Sequence, residues 1–456
     1  MSKPQDFWSG PTGFILATIG AAVGLGSIWK FPYEVGANGG GAFILFYLVG
    51  LVLIVFPLML VEFAIGRRGR SDAADAIAHV AQEVGVSRLW AMIGIMGIIT
   101  AFLILSFYSV IGGWAIAYAV ETSSRGLGGL DAASAQARFD ALMASPARMT
   151  GYHLVYMAAV AVIVARGIAS GIEYACKILM PILIVLIIGL SVFSLMLGDV
   201  RATLRFLFQL DPRHLTVAAA LDALGLGFFS IGVGLALMIT YAAYAGADID
   251  LRRVAIVTIV GDTAVSLAAG LAIFPIVFAE GLNPASGPGL MFVTLPLAFA
   301  RIPGGELAAL GFFLLLIVAA MASGISMLEM AVAALSRRGW SRARASLATA
   351  AACWLCGLAT VLSFNVWAGW HPLSAVPAFA NATVFSLLDH LTSNILLPLG
   401  GFALALFAGW VLPERLLIAE LGFRPGTARL LQVLLRTIVP ACIAAVTVMP
   451  LFAAKL

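Results

Sequence analysis

The sequence predicts an all-α polytopic membrane protein, built as two inverted five-span repeats with an eleventh span added. Three observations predict it. Apolar runs of about 20 residues, the length a helix needs to cross a bilayer, recur along the whole chain. The 456 residues are 62% hydrophobic and 11% charged, which excludes a soluble core as their destination. Two of the apolar runs, at matching places in the two halves, are interrupted by glycine in mid-span.

The spans are expected at 12–35, 41–65, 89–121, 152–168, 176–198, 219–245, 253–278, 304–336, 346–364, 380–412 and 430–453. They are numbered 1 to 11 in that order. The first repeat covers about 12–198, the second about 219–412 and the added span about 430–453, all in one transmembrane domain. An N-terminus inside puts Arg67, Arg68 and Arg70, Arg252 and Arg253, and Arg337, Arg338, Arg342 and Arg344 on the cytoplasmic side, as the positive-inside rule asks. An odd number of spans then leaves Leu456 outside. The start is polar and short, without the form of a cleavable signal peptide. The outer segment 279–303, rich in Gly and Pro before it turns apolar, is expected to dip back towards the membrane as a lid. The inner segment 72–86 has the character of an interfacial helix.

In span 1, Gly20, Gly24 and Gly26 fall close together where helix propensity is weakest. A membrane helix satisfies its own backbone groups, so irregular backbone at depth requires surrounding protein or a cavity. The cluster reads as a broken helix whose freed carbonyls and amides form a binding site, or as a small-residue packing face. Span 6 carries Gly232 and Gly234 within GLGFFSIGVG. Paired interruptions in corresponding spans are the sequence mark of a transporter site near the midplane, and they favour the broken helix. Five spans is an odd number, so the two repeats are inverted relative to each other.

Few polar groups lie at depth. Lys30 and Glu62 stand near span ends, Asp389 near one end of span 10 and Asp262 well inside span 7. Charges inside a membrane are costly and default to functional readings; Lys30 and Glu62 read equally as functional groups or as snorkelling or structurally paired ones, whereas Asp262 requires a cation, a proton or a hydrogen-bonding partner. Ser27, Ser230 and Ser323 offer hydroxyls, and Gly20, Ala22 and Val23 offer carbonyls if span 1 unwinds. Hard cations such as Na+ take several such oxygens. Tyr108 and Phe229 read as aromatics facing the breaks or as packing. The four cysteines and five scattered histidines lack disulfide or metal-ligand spacing, and Cys353-x-x-Cys356 lies in an apolar span as a packing feature.

The segment GAAVGLGSIWKFPYEVGANGGGAF resembles the first-span signature of the neurotransmitter:sodium symporters, most closely the bacterial LeuT-type amino-acid transporters. PLMLVEFAIGRRG, SFYSVIGGW, RGIASGIEYACKILMP, FFSIGVGLALMITYAAY, SGISMLE and SNILLPLGG extend the resemblance in order over nearly the whole chain. The eleven-span form is similar to a bacterial branch without a twelfth span.

The resemblance implies a role for each matching position. A substrate carboxylate would meet the amides of Leu25 and Gly26 and the Tyr108 hydroxyl, and the amine would meet carbonyls at Ala22, Phe229 and Ser230. Gly24 stands where amine-selective members carry an aspartate, so the ligand brings its own carboxylate. The side-chain pocket would comprise Ala21, Ile104, Phe229, Gly232, Leu235, Ser323 and Met327. A first Na+ site would use Ala22, Ser27, Ser230 and span 7. A second would use Gly20, Val23, Ala319 and Ser323. Lys30 and Asp389 would form an outer gate, and Gly171 and Pro181 match a pattern that lets span 5 unwind.

The departures are Ser27 and Ala322 in place of longer or polar ligands. At the span-7 ligand, Gly261 is expected at the family position, with Asp262 beside it as the replacement. Leu226 and Val265 at the chloride positions imply chloride independence. Gln5 and Arg337 stand where the inner-gate ion pair would be.

The expectation is a Na+-coupled symporter in a bacterial inner membrane. It would import an amino acid, bulky and hydrophobic or aromatic because Gly232 and Leu235 widen the pocket, with one or two Na+ ions and no organic cofactor. Proton coupling, Na+ independence or a non-transporting sensor are the alternatives, and scattered histidines speak against a polytopic enzyme. Expected partners are the amino acid, Na+ and the lipid bilayer, with no nucleic acid; oligomeric state is left open.

Overall fold

The computed structural model describes residues 7–284 and 289–453. Among them, nine helices are long and apolar enough to cross a bilayer, and the bent pair Pro11–Ala22 and Gly26–Ala37 makes a tenth. Span 6 is built from two short pieces, Val217–Ile231 and Leu237–Ala242. Spans 1 and 6 are thus the two broken ones. The remaining spans run Gly41–Gly69, Arg88–Arg125, Pro146–Ala165, Ile168–Leu197, Leu251–Ala279, Gly305–Arg337, Arg342–Ser363, Val384–Val411 and Pro425–Met449.

Span 8 is the axis of the bundle. Of its central stretch 72% is buried, against 33% for span 5. It lies along spans 3 and 5, while the first half of span 1 packs on spans 5, 7 and 8. The two pieces of span 6 pack on the two ends of span 2. This arrangement encloses both breaks in protein, the condition under which unpaired backbone is tolerated at membrane depth.

Span boundaries differ from expectation where polar caps begin helices early. Span 4 starts at Pro146 because the Ser145 hydroxyl accepts from the Arg148 amide and proline suits the first helical turn. The expected outer loop before it contains a helix, Ala132–Met143, opened by an Asp131/Ser134 capping box. Span 5 starts at Ile168, eight residues before the expected 176, in a wide turn in which the Ile172 amide donates to the Gly167 carbonyl at 3.0 Å. Gly171 lies in this turn and Pro181 inside the helix that follows. The inner segment forms helix Ala73–Glu83, capped by Asp72. In the outer segment, helix Leu290–Ala300 dips into the bundle and buries Phe292 against Trp114 and Tyr118. Residues 285–288 of that segment lie outside the described residues.

The break in span 6 is a left-handed stretch. Gly232 and Gly234 have φ of 73° and 89°, and Ala236 has φ of 60°. Glycine takes this conformation without the Cβ penalty; at Ala236 it stores strain, of a kind found at functional sites. Gly234 is also closely packed: a Cβ there would lie 2.7 Å from the Leu397 carbonyl oxygen. Gly234→Ala is therefore expected to destabilise the protein by about 1–3 kcal/mol, measured as a lower thermal unfolding midpoint of the purified protein.

Candidate functional site

Span 1 bends by 50° between Ala22 and Gly26. Val23 is extended there (φ −74°, ψ 101°), which frees the local carbonyls and amides from the helical ladder. The freed Leu25 amide donates to the Tyr108 hydroxyl at 3.1 Å. Gly24 admits this approach, since a Cβ on it would lie 2.8 Å from that hydroxyl and closer still to Ser323 Oγ.

Around this point the breaks of spans 1 and 6 enclose a cavity of about 40 Å³ (the space open to the centre of a water molecule). Ala21, Ala22, Gly24, Leu25, Gly26, Ile104, Tyr108, Phe229, Ser230, Gly232, Leu235, Ser323 and Met327 all line it. Every position expected around a substrate is thus in one place. Leu237 and Leu397 line it as well; no polar or glycine signal marks them in sequence. The cavity has a polar end of amides and hydroxyls and an apolar end of aliphatic and aromatic side chains.

Two oxygen clusters flank the cavity. In the first, Asp262 accepts from Ser27 Oγ at 2.5 Å, from Ser230 Oγ at 3.1 and 3.2 Å, and from the Tyr47 hydroxyl at 3.0 Å. Ser27 and Ser230 are 3.0 Å apart. Asp262 is fully buried, and its described partners are hydroxyls rather than a cation. A buried carboxylate without a counter-charge is costly, so the cluster is suited to take up a positive ion. In the second, Ser323 Oγ lies 3.4 Å from the carbonyl oxygens of Gly20, Ala21 and Val23. One hydroxyl carries one proton, so carbonyl lone pairs converge there beyond what it can satisfy. Ala22 and Ala319 are buried on the same elements, and the Ala322 methyl faces Gly20.

Two expectations about span 7 are corrected. Asp262, not Gly261, occupies the position facing Ser27 and Ser230, because each residue turns the helix by about 100°. Gly261 points at Ile19 instead. By the same register Ser266, one turn beyond Asp262, shares its face in place of Val265, and its hydroxyl is buried with no hydrogen-bond partner among the described residues. Tyr47 was missed because an aromatic in an apolar run reads as packing; its phenol needing a buried partner was the available signal.

The Lys30–Asp389 ion pair is not formed in this structure. Lys30 Nζ lies 4.6 Å from the centroid of the Phe229 ring, a cation–π contact. Asp389 accepts from Ser393 one turn along its own helix at 2.9 Å.

Glu62 is buried at depth on span 2 and accepts the amides of Gly234 at 2.8 Å and Met238 at 3.0 Å. It is the acceptor for backbone that the span-6 break leaves unpaired.

At the N-terminal side, Trp8 is buried and donates from its indole to the Tyr241 carbonyl at 2.9 Å. The Ser9 amide donates to Glu173 at 2.8 Å, and Lys177 pairs with Glu173 at 2.7 Å. Arg337, expected at the altered inner gate, donates to the Arg70 carbonyl at 2.6 Å; Gln5 lies outside the described residues. Deeper on this side Arg342 pairs with buried Glu329, which also accepts from the Tyr244 hydroxyl at 3.0 Å.

Two half-broken spans meeting at a buried cavity flanked by oxygen clusters define a membrane transporter of the broken-helix class. Comparison with known proteins places the chain within that class. The family model for the sodium:neurotransmitter symporter family matches residues 5–129 and 144–455. The uncharacterised sodium-dependent transporter YhdH of Bacillus subtilis is 38% identical over 97% of this chain and 96% of its own. An uncharacterised sodium-dependent transporter of Haemophilus influenzae is 32% identical over 91% of each chain. The solved structure of MhsT in complex with L-phenylalanine superposes with a TM-score of 0.87 at 39% identity, covering 97% of this chain and 98% of that one. The chain belongs to the sodium:neurotransmitter symporter family, as an integral membrane, sodium-dependent symporter with the LeuT-type fold expected from its sequence.

Glu62→Leu leaves the Gly234 and Met238 amides without an acceptor. It is expected to cost about 1–3 kcal/mol for each group left unsatisfied, read from thermal unfolding. Glu62→Gln, which keeps one acceptor oxygen, should fall between that variant and the native protein.

Proposed function

We propose that this protein takes up an amino acid with a bulky hydrophobic or aromatic side chain, coupled to Na+, by alternating access around the cavity between spans 1, 3, 6 and 8. The observation that carries this reading is the polarity of the cavity. Its polar end offers the Tyr108 hydroxyl, which the Leu25 amide orients, and the start of the second half of span 1 at Gly26, which has no side-chain cap; Gly24 supplies no fixed carboxylate. An anionic group is favoured where free amides open a half-helix, so the ligand's own carboxylate belongs there. Ile104, Phe229, Leu235 and Met327 give its other end an apolar lining, and the L-phenylalanine in the MhsT complex supports a ligand of this kind.

Two Na+ ions fit the two oxygen clusters in this reading: Ala22, Ser27, Ser230 and Asp262 for the first, and Gly20, Val23, Ala319 and Ser323 for the second. Tyr47 joins the first by holding Asp262 in place. Chloride independence rests on Asp262, whose fixed negative charge supplies what a bound anion would otherwise bring. It no longer rests on Val265. Lys30 and Asp389 are read as gate residues that come together as the mouth closes. The chain acts as one transport domain, with repeats at about 12–198 and 219–412, in a bacterial inner membrane with its N-terminus cytoplasmic and its C-terminus outside. Its role is transport rather than catalysis.

The test is L-phenylalanine binding to purified protein in Na+, with K+ or choline as replacements. Binding that requires Na+ and ignores chloride is expected; binding indifferent to Na+ overturns the coupling. Asp262→Asn removes the buried charge and should weaken Na+ activation at least tenfold, about 1.4 kcal/mol. Protonation of Asp262 removes the same charge. Na+ affinity should therefore fall as pH is lowered through its titration, and Asp262→Asn should flatten that dependence.

A further inference from the structure

A second concavity lies away from the transport cavity, on the outer surface where spans 3, 8 and 9 meet the surface helix Ala73–Glu83. Its volume is about 390 Å³. Its walls are Ile95, Ile98, Ile99 and Phe102 of span 3, and its floor is made by the small residues Ala331, Ala334, Ala348 and Ala352 of spans 8 and 9. Ile95 and Ile99 are 37% and 50% exposed, so the groove opens sideways from the bundle. In an integral membrane protein such a surface meets acyl chains.

One polar feature sets this groove apart from an ordinary lipid-facing surface. At the groove's end stands Arg338, at the close of span 8. One of its guanidinium nitrogens donates to the Ala334 carbonyl at 3.0 Å. A guanidinium has five N–H donors in a fork that matches phosphate oxygens, so donors remain for an anion. Spans 8 and 9 meet here through a short basic connection, with Arg337, Arg342 and Arg344 close in sequence.

We propose that this groove binds one anionic glycerophospholipid. Its phosphate pairs with Arg338, and one acyl chain lies along Ile95, Ile99, Phe102 and Ala352. The charge of Arg338 and the apolar length beyond it fall in the order of a lipid's own chemistry. The site is separate from the transport cavity, and the proposal stands independently of the substrate.

The test is native mass spectrometry of the full-length protein, delipidated in detergent and titrated with phosphatidylglycerol or phosphatidylcholine. One phosphatidylglycerol is expected to be retained with about tenfold preference over phosphatidylcholine. Arg338→Gln should abolish the preference and Arg338→Lys should keep part of it. Ala352→Leu should lower retention of both lipids several-fold. Each variant is first shown to match the native unfolding midpoint. Equal retention of the two lipids by the native protein overturns the proposal, as does native-like retention by Arg338→Gln and Ala352→Leu together. Displacement of the lipid by inorganic phosphate alone, or a dimer that excludes lipid, overturns it as well.

Discussion

The carboxylate of Glu62, buried on span 2, accepts the amide of Gly234 within the break in span 6 and that of Met238 in the first turn of the helix after it. The rest of the site depends on this contact. A broken helix at membrane depth releases backbone groups that lipid cannot satisfy, and each must find an internal partner or line a cavity. Glu62 takes up the amides of span 6. In span 1, the Tyr108 hydroxyl takes the Leu25 amide and Ser323 lies among three carbonyls. What these partners leave over are the amides and carbonyls facing the cavity, and those are available to a ligand.

Asp262 is the complementary case, an acceptor-rich group surrounded by donors too weak to neutralise it. Three hydroxyls, from Ser27, Ser230 and Tyr47, orient its oxygens without supplying charge. These residues come from spans 1, 2, 6 and 7, so the cluster ties both broken spans to their surroundings. A cation held here would be linked through Ser27 and Ser230 to the two breaks that line the cavity.

The described contacts on the N-terminal side lie away from Arg337. They are the packed indole of Trp8 and Glu173, which joins the Ser9 amide to Lys177 on span 5. Glu173 ends the wide turn that contains Gly171. The start of span 1 therefore rests on the part of span 5 where the helix is least regular, and movement of either element must disturb the other.

Much of this was legible in the residues alone. Long apolar runs give membrane spans because their length and composition meet the bilayer's thickness, and glycine in the middle of two of them gives the breaks because no partner residue is needed to weaken a helix. The positions lining the cavity followed from the match of short motifs to a family. Whether Asp262 or Gly261 faces the ions could not be read in this way, since one residue rotates a helix face by about 100° and only packing against spans 1 and 2 fixes the rotation. Tyr47, Leu237 and Leu397 carry no local mark of their roles, and Lys30 and Asp389 look like a pair until Phe229 and Ser393 are seen beside them. The sequence by itself determined the spans, the breaks and the chemical types available, because these are properties of local composition. Only the tertiary structure decided which groups meet, because hydrogen bonds over separations such as 235 residues between Ser27 and Asp262 are set by how whole helices pack.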